Sequence, residues 1–278
     1  MKVDFKHVCF AYNNKEKYAL NDINLAINQN EIIFVLGHTG SGKSTFVQHL
    51  NGLLFPTTGE VNVEIDNICY KVDKKEKRIK ELRKNIGLVF QFPENQLFES
   101  TVLKDVMFGP LNFGYDQKEA ERLAKSSLSL LGIDESYYER SPFDLSGGEK
   151  RKVAIAGVIA SKPKILVLDE PTSSLDNKST KEFFSILKRL KEKGILVIVV
   201  SHDVNLCYEY ADKVLILSEG NMEYFGEYQN AFTEIDILKR ANIEKPFVLK
   251  AKEKLNIKSN ARNIKELVKS IKGVSQDE

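Results

Sequence analysis

The chain has 278 residues, 42% of them hydrophobic and 29% charged, with a formal net charge of +2. That is an ordinary globular composition, long enough for one large domain or a domain with an appendage, and its overall charge argues neither for nor against a nucleic-acid partner. Cys9, Cys69 and Cys207 are odd in number, far apart and form no C-x-x-C pair, so a disulfide framework and a zinc site are both disfavoured and a reducing cytosol fits best.

From the N-terminus, Val3–Phe10 and Leu20–Asn28 alternate apolar and polar residues as half-buried strands do, around a polar turn at Asn13-Asn14-Lys15. They predict a small β layer. Tyr12, just after the first strand, reads equally as a strand-edge aromatic or as a stacking platform for a base. Glu31–Leu36 is a β-branched apolar run, predicted as a buried strand, and Lys43–Leu53 is predicted as a helix. Between and into them runs Gly37-His38-Thr39-Gly40-Ser41-Gly42-Lys43-Ser44-Thr45, which matches G-x-x-x-x-G-K-[ST] at every fixed position. Glycines at that junction let successive N–H groups curl around phosphate oxygens at a helix N-terminus. Lys43 would neutralise β- and γ-phosphates, and the Ser44 hydroxyl would ligate Mg²⁺.

Gly59–Ile65 and Ile68–Val72 predict a hairpin, and Lys74–Lys84 a charged, solvated helix. Ile86–Phe90 predicts a second buried strand, ending at Gln91. After it come a polar and aromatic loop, Phe92–Phe98, and helical patterns over Val102–Phe108 and Gln117–Leu131, so residues 92–141 read as a helical insertion. Leu145-Ser146-Gly147-Gly148-Glu149 opens a helix reaching about Ser161. Ser146 with Glu149 three residues on forms a capping-box pattern, and Ser146 with the N–H groups of Gly147 and Gly148 forms a second anion site.

Ile165–Leu168 is a wholly aliphatic strand ending at Asp169-Glu170. Beside bound triphosphate, Asp169 would hold the Mg²⁺ coordination sphere, and Glu170 would deprotonate the attacking water. A helix over Asn177–Lys193, a strand over Ile195–Val200 with His202 just beyond, and a hairpin of Val214–Leu217 and Met222–Phe225 follow. Aliphatic strands alternating with helices imply an α/β fold, a parallel sheet covered on both faces, with its chemistry at the strands' carboxyl ends. Residues 1–226 would form this body. Residues 227–278 turn helical and basic, with a break at Pro246 and Ile264, Leu267, Val268 and Ile271 at helical spacing. From Lys239 to Glu278 there are 11 Lys/Arg against 5 Asp/Glu. The expectation is a separate appendage of short helices. The first residues lack a signal-peptide core, and the longest aliphatic run, Ile195–Val200, is far below the ~18 residues a spanning helix needs. A soluble chain is expected, with any membrane role borrowed from a partner.

Taken in order, the phosphate loop, Gln91, Leu145–Glu149, Ile165–Glu170, Ser174-Leu175-Asp176 and His202 resemble the motif set of ATP-binding-cassette (ABC) ATPases, over about residues 3–226. The resemblance implies the P-loop ABC ATPase core, ATP and Mg²⁺ as ligands, and two subunits paired head to tail so that each signature closes over the other's ATP. It places Tyr12 on the adenine, Gln91 on Mg²⁺ and attacking water, His202 on the γ-phosphate and Asp176 in the loop between subunits. His7 and His49 match nothing in the pattern, and His38 enters only as part of the phosphate loop.

A narrower resemblance rests on Val89–Phe98, on Lys150–Gly157 and on the short helical C-terminus. These are similar to the ATPases of energy-coupling factor transporters, importers of vitamins and transition-metal ions in prokaryotes. Gln96-Leu97-Phe98-Glu99 is closer to the second of that family's two ATPase types. This implies a motor on the cytoplasmic face of the membrane, paired with a different ATPase and working with a membrane coupling subunit and small-solute-binding membrane subunits. The basic tail would help hold the two ATPases together. The competing expectations are an ATPase of an ordinary ABC importer and a soluble ABC ATPase acting on ribosomes or DNA. The second is disfavoured because Lys43 and Ser146 lie only 103 residues apart, with no room for coiled coils, and because the chain carries one cassette. No nucleic acid is expected.

Overall fold

In the computed structural model, which describes residues 1–12, 17–28, 30–173 and 175–274, two sheets are stacked around one short helix. The first is antiparallel, in the order β2-β1-β4-β5. It comprises β1 (Lys2–Phe10), β2 (Leu20–Asn28), β4 (Thr58–Ile65) and β5 (Ile68–Lys71). The predicted alternation is present: Val3, Phe5, Val8, Ile23, Ile27, Val61 and Val63 point inward and are buried. The turn Asn13-Asn14-Lys15 lies outside the described residues, as does Ser174.

The second sheet, in the order β10-β9-β3-β8-β7-β6, is parallel except for its edge strand β10. It is built from β3 (Ile32–Leu36), β6 (Ile86–Val89), β7 (Ile165–Asp169), β8 (Leu196–Val200), β9 (Lys213–Ser218) and β10 (Asn221–Glu227). The three central strands, β3, β8 and β7, are apolar up to Asp169 at the end of β7, because both their faces are covered. One face meets α1 (Lys43–Leu50), whose Phe46, Val47 and Leu50 fill the space between the two sheets. The other face meets α5 (Gly147–Ala160), α6 (Asn177–Glu192) and α7 (Val204–Tyr210), with α3 (Val102–Asn112) and α4 (Gln117–Leu130) packed on α5 as the helical insertion.

Several boundaries differ from expectation. Helix α1 stops at Leu50 rather than Leu53, because Gly52 takes φ +68° and the N–H of Leu53 folds back onto the carbonyl of Gln48. Of Lys74–Lys84 only α2 (Ile79–Asn85) takes in a helical part; before it, the Asp73 carboxylate accepts the N–H of Lys75 and shapes a turn. Pro93–Gln96 winds into a 3₁₀ turn inside the expected loop. The C-terminal hairpin belongs to the main sheet, with β9 parallel to β3. Helix α7 has no counterpart among the predicted elements.

Four helices end the described chain: α8 (Tyr228–Ala231), α9 (Ile235–Arg240), α10 (Phe247–Leu255), with Pro246 as its N-cap, and α11 (Ile264–Val274). They have no core of their own. Phe232, Ile237, Leu238, Val248 and Leu267 join the hydrophobic cluster that lies under α5, α6 and α7. Arg262 fastens them further, donating to the carbonyls of Tyr208 (2.9 Å) and Ala211 (2.5 Å) and stacking on Tyr228.

Candidate functional site

The carboxyl ends of β3, β7 and β8, together with the chain just beyond β6, open into one cavity of about 560 Å³. It is lined by Tyr12, Ala19, Thr39, Gly40, Gly42, Lys43, Ser44, Thr45, Gln91, Asp169, Glu170, Ser173 and His202. The glycine loop leaves β3 and enters α1, with Gly42 as N-cap at φ +104°. A Cβ at Gly42 would stand 2.5 Å from the carbonyl oxygen of Ala19, so both backbone and packing demand glycine there.

Lys43 spans the loop, its ammonium donating to the carbonyls of Gly37 (2.7 Å) and His38 (2.8 Å). Burial pushes its pKa down, while Glu170 and then Asp169 pull it back up. The Ser44 hydroxyl donates to Asp169 Oδ2 at 3.1 Å. Burial, the first cause, and the charge of Glu170 raise the Asp169 carboxyl above its ordinary range; the bond from Ser44 and the charge of Lys43 offset part of this. Glu170 takes φ +48°, which turns its side chain from the end of β7 towards β8, where Oε1 meets Nδ1 of His202 at 2.9 Å. An ionised carboxylate only accepts, so this contact fixes the proton on Nδ1 and leaves Nε2 free to face a ligand. Tyr12 stands 48% exposed at the cavity rim, its hydroxyl 3.1 Å from that of Thr45.

The remaining predicted residues lie elsewhere. Ser41 is buried beneath the loop, and His38 turns away from this cavity, its Nε2 3.5 Å from Glu219. Gly37 and His38 line an adjoining cavity together with Thr39, Lys43, Glu170, His202 and a segment with no motif to place it there, Asn242-Ile243-Glu244 of the tail. Ser146, Gly147 and Gly148 are not brought to the phosphate loop within this chain. Ser146 caps α5 with the full reciprocal box to Glu149, and with Gly148 it borders a different cavity between α5 and α6. His49 is a core residue: its Nδ1 lies 2.7 Å from the Thr45 carbonyl, and burial lowers its pKa. A buried ion pair, Arg151 with Glu94 at 3.6 Å, ties α5 to the segment after Gln91 and had no signal in the spacing of motifs.

The donors facing Lys43 are hydroxyl, carboxylate and amide oxygens, the set a hard cation prefers. Among the described residues no cluster of three or more His, Cys, Asp or Glu forms an all-protein metal cage. A part-shell of this kind suits Mg²⁺, which binds through one or two carboxylates and completes its octahedron with phosphate and water.

The ABC transporter family profile matches residues 20–173. The energy-coupling factor transporter ATP-binding protein EcfA2 of Streptococcus agalactiae serotype Ia is 45% identical over 280 residues, covering 98% of this chain and 99% of that protein. The protein of the same name from Streptococcus pyogenes serotype M5 is 45% identical over 258 residues, covering 92% and 91%. Among solved structures, cbiO1 of Clostridium perfringens, part of the ABC transporter complex cbiONQ, superposes with a TM-score of 0.75 at 33% identity, over 92% of this chain and 98% of that one. The ATP-binding cassette MJ0796, dimeric in a post-hydrolysis state bound to ADP and Pi, superposes with a TM-score of 0.71 at 34% identity, over 81% and 98%.

Proposed function

The chain belongs to the ABC transporter family, and from that premise we propose that it is the ATP-hydrolysing motor subunit of an energy-coupling factor importer. The observation that carries this reading is the convergence in one cavity of Lys43, the Ser44–Asp169 pair and the Glu170–His202 pair.

Triphosphate entering the glycine loop would take over the Lys43 ammonium from the carbonyls of Gly37 and His38. Tyr12 would stack on the adenine. Ser44, Asp169 and Gln91 would hold Mg²⁺, which when bound supplies Lewis-acid neutralisation of the β- and γ-phosphates. Glu170 would then take a proton from water as it attacks the γ-phosphorus in line, while His202, held by Glu170 through Nδ1, would donate from Nε2 to a γ-phosphate oxygen as the imidazolium, the form in which both ring nitrogens carry protons. The products are ADP and inorganic phosphate. Because Ser146–Gly148 sit away from this cavity, the reading requires a second ATPase subunit, placed head to tail, to receive them. A different chain is proposed for that role, with the basic tail contributing to the contact.

The route to the membrane would pass through a second surface. Phe98 and Phe108, both exposed and packed edge to face, border a groove of about 380 Å³ with Leu97, Gly109 and Phe113. The Asp105 carboxylate pins the backbone N–H groups of Phe98 and Glu99, so the aromatic rim is held in place. This groove would receive a helix of a membrane coupling subunit on the cytoplasmic face, and small-solute-binding membrane subunits would complete the importer. No helix among the described residues is long and apolar enough to cross a membrane. The test is to tag the chain in its native cell, solubilise membranes gently and identify what co-purifies. A second ATP-binding cassette with a polytopic subunit and small solute binders supports the reading; recovery on ribosomes or DNA overturns the transport role.

A further inference from the structure

The residue after Gly147-Gly148 is a glutamate, and both oxygens of its carboxylate are engaged. Glu149 Oε2 accepts from both the N–H (2.8 Å) and the hydroxyl (2.7 Å) of Ser146. Its other oxygen, Oε1, accepts from the hydroxyl of Tyr137 at 2.8 Å. Tyr137 is held in turn by the Arg140 guanidinium stacked 4.4 Å above its ring. A capping box needs only the backbone half of this exchange. The extra bond uses the single proton of the Ser146 hydroxyl, and a bond to an ionised acceptor is about twice as strong as a neutral one. The Ser146 hydroxyl, then its N–H, then Tyr137 hold Glu149 below the usual carboxylate range, so the charge is permanent at neutral pH. Apart from the adjoining residues and the helix's own backbone, no atom lies within 4 Å of where a Cβ would stand on Gly147 or Gly148, so the backbone beside Ser146 is open to an incoming group.

We propose that Glu149, anchored by Tyr137, is a built-in competitor for the Ser146 hydroxyl, so that this signature takes up a nucleotide γ-phosphate more weakly than a neutral side chain at position 149 would allow. The inference rests on the reading that the signature meets ATP held by a second ATPase. To donate to phosphate, Ser146 must leave Glu149, and the approaching phosphate meets a fixed negative charge across the same helix turn. Closure would thus need more ATP, and the motor would idle less when substrate is scarce. Tyr137 acts as a positioning residue, keeping the carboxylate on Ser146.

The test uses the full chain co-purified with its ATPase partner and reads the ATP concentration for half-maximal hydrolysis. Glu149→Gln keeps a capping box, so it folds, and thermal denaturation checks that. It lowers half-saturation about three- to tenfold, the range expected for removing one charge near a partly solvated phosphate, with a smaller change in kcat. Combining it with Ser146→Ala abolishes the gain. An unchanged or raised half-saturation in Glu149→Gln, while Ser146→Ala alone weakens ATP use, overturns the inference and leaves the proposed function standing. A gain that persists in the double variant also overturns it. If Ser146→Ala alone changes nothing, the signature reading and the inference fall together.

Discussion

Replacing Glu170 with glutamine removes a charge and a base while changing almost nothing else. The amide is isosteric, its oxygen can still accept from Nδ1 of His202 at the 2.9 Å now seen, and the left-handed backbone of residue 170 is as tolerable for Gln as for Glu. Loss of a positioned general base costs about 10²–10⁴ in rate, or about 3–5.5 kcal/mol of barrier. Binding should move the other way. Glu170 is the larger of the two carboxylate influences on Lys43 and repels Asp169, and it would repel a γ-phosphate as well. For a separation of about 6 Å, between aqueous and protein-surface dielectrics, that repulsion is about 0.7–3 kcal/mol, so ATP should bind at least about threefold more tightly. Phosphate release measures the first effect, and size-exclusion chromatography in Mg-ATP measures the second as an accumulated closed dimer. Turnover within about threefold of wild type would refute the assignment of Glu170 as base, being far below the expected loss. Loss of both binding and turnover would reduce Glu170 to a structural role.

Tyr12→Ala should weaken ATP binding about five- to hundredfold, the worth of one base-stacking platform, with Tyr12→Phe close to wild type in titration calorimetry. Asp169→Asn should raise the melting temperature of the nucleotide-free protein by about 1–3 °C at neutral pH and abolish the further rise produced by Mg-ATP. The sign follows from the raised pKa of Asp169. The folded state holds that proton longer than the unfolded state, so stability is lost as pH rises from 3.8 through the folded value, and at neutral pH the buried charge is a cost that asparagine avoids. Phe98→Asp, at an exposed position, should leave the melting temperature within about 2 °C but eliminate co-purification with membrane subunits.

Motifs were legible where chemistry demands particular residues at short spacing. Gly37–Thr45, the aliphatic run into Asp169-Glu170 and the Ser146–Glu149 box each mark a strand end or helix start from residue type and spacing alone. Elements whose formation depends on distant neighbours were not. Val204–Tyr210 is only seven residues long and mixes Val204, Asn205, Cys207 and two tyrosines, all middling helix formers, with Leu206 and Glu209; it is helical because Asp203 caps it and Cys207, Tyr208 and Tyr210 bury against the main sheet and tail. The pairing of Arg151 with Glu94, of Tyr137 with Glu149, and of Asn242–Glu244 with the phosphate loop's neighbour cavity joins segments whose separation carries no period. The tail's burial was hidden for a related reason: Ile264 and Val268 lie on the expected stripe of α11 but stay exposed, while Leu267 goes inside.

That burial bears on how such a chain could be shortened or recombined. A gene cut after residue 226 would leave the hydrophobic surface under Phe232, Ile237 and Leu238 facing water, and the carbonyls of Tyr208 and Ala211 without the Arg262 guanidinium. At about 1.5–3 kcal/mol for each large apolar side chain uncovered, the loss would rival the whole stability of an ordinary domain. The tail therefore behaves less as a module that evolution could exchange than as a keystone, and α7, which begins two residues after His202, packs against both β3 and the tail's α8.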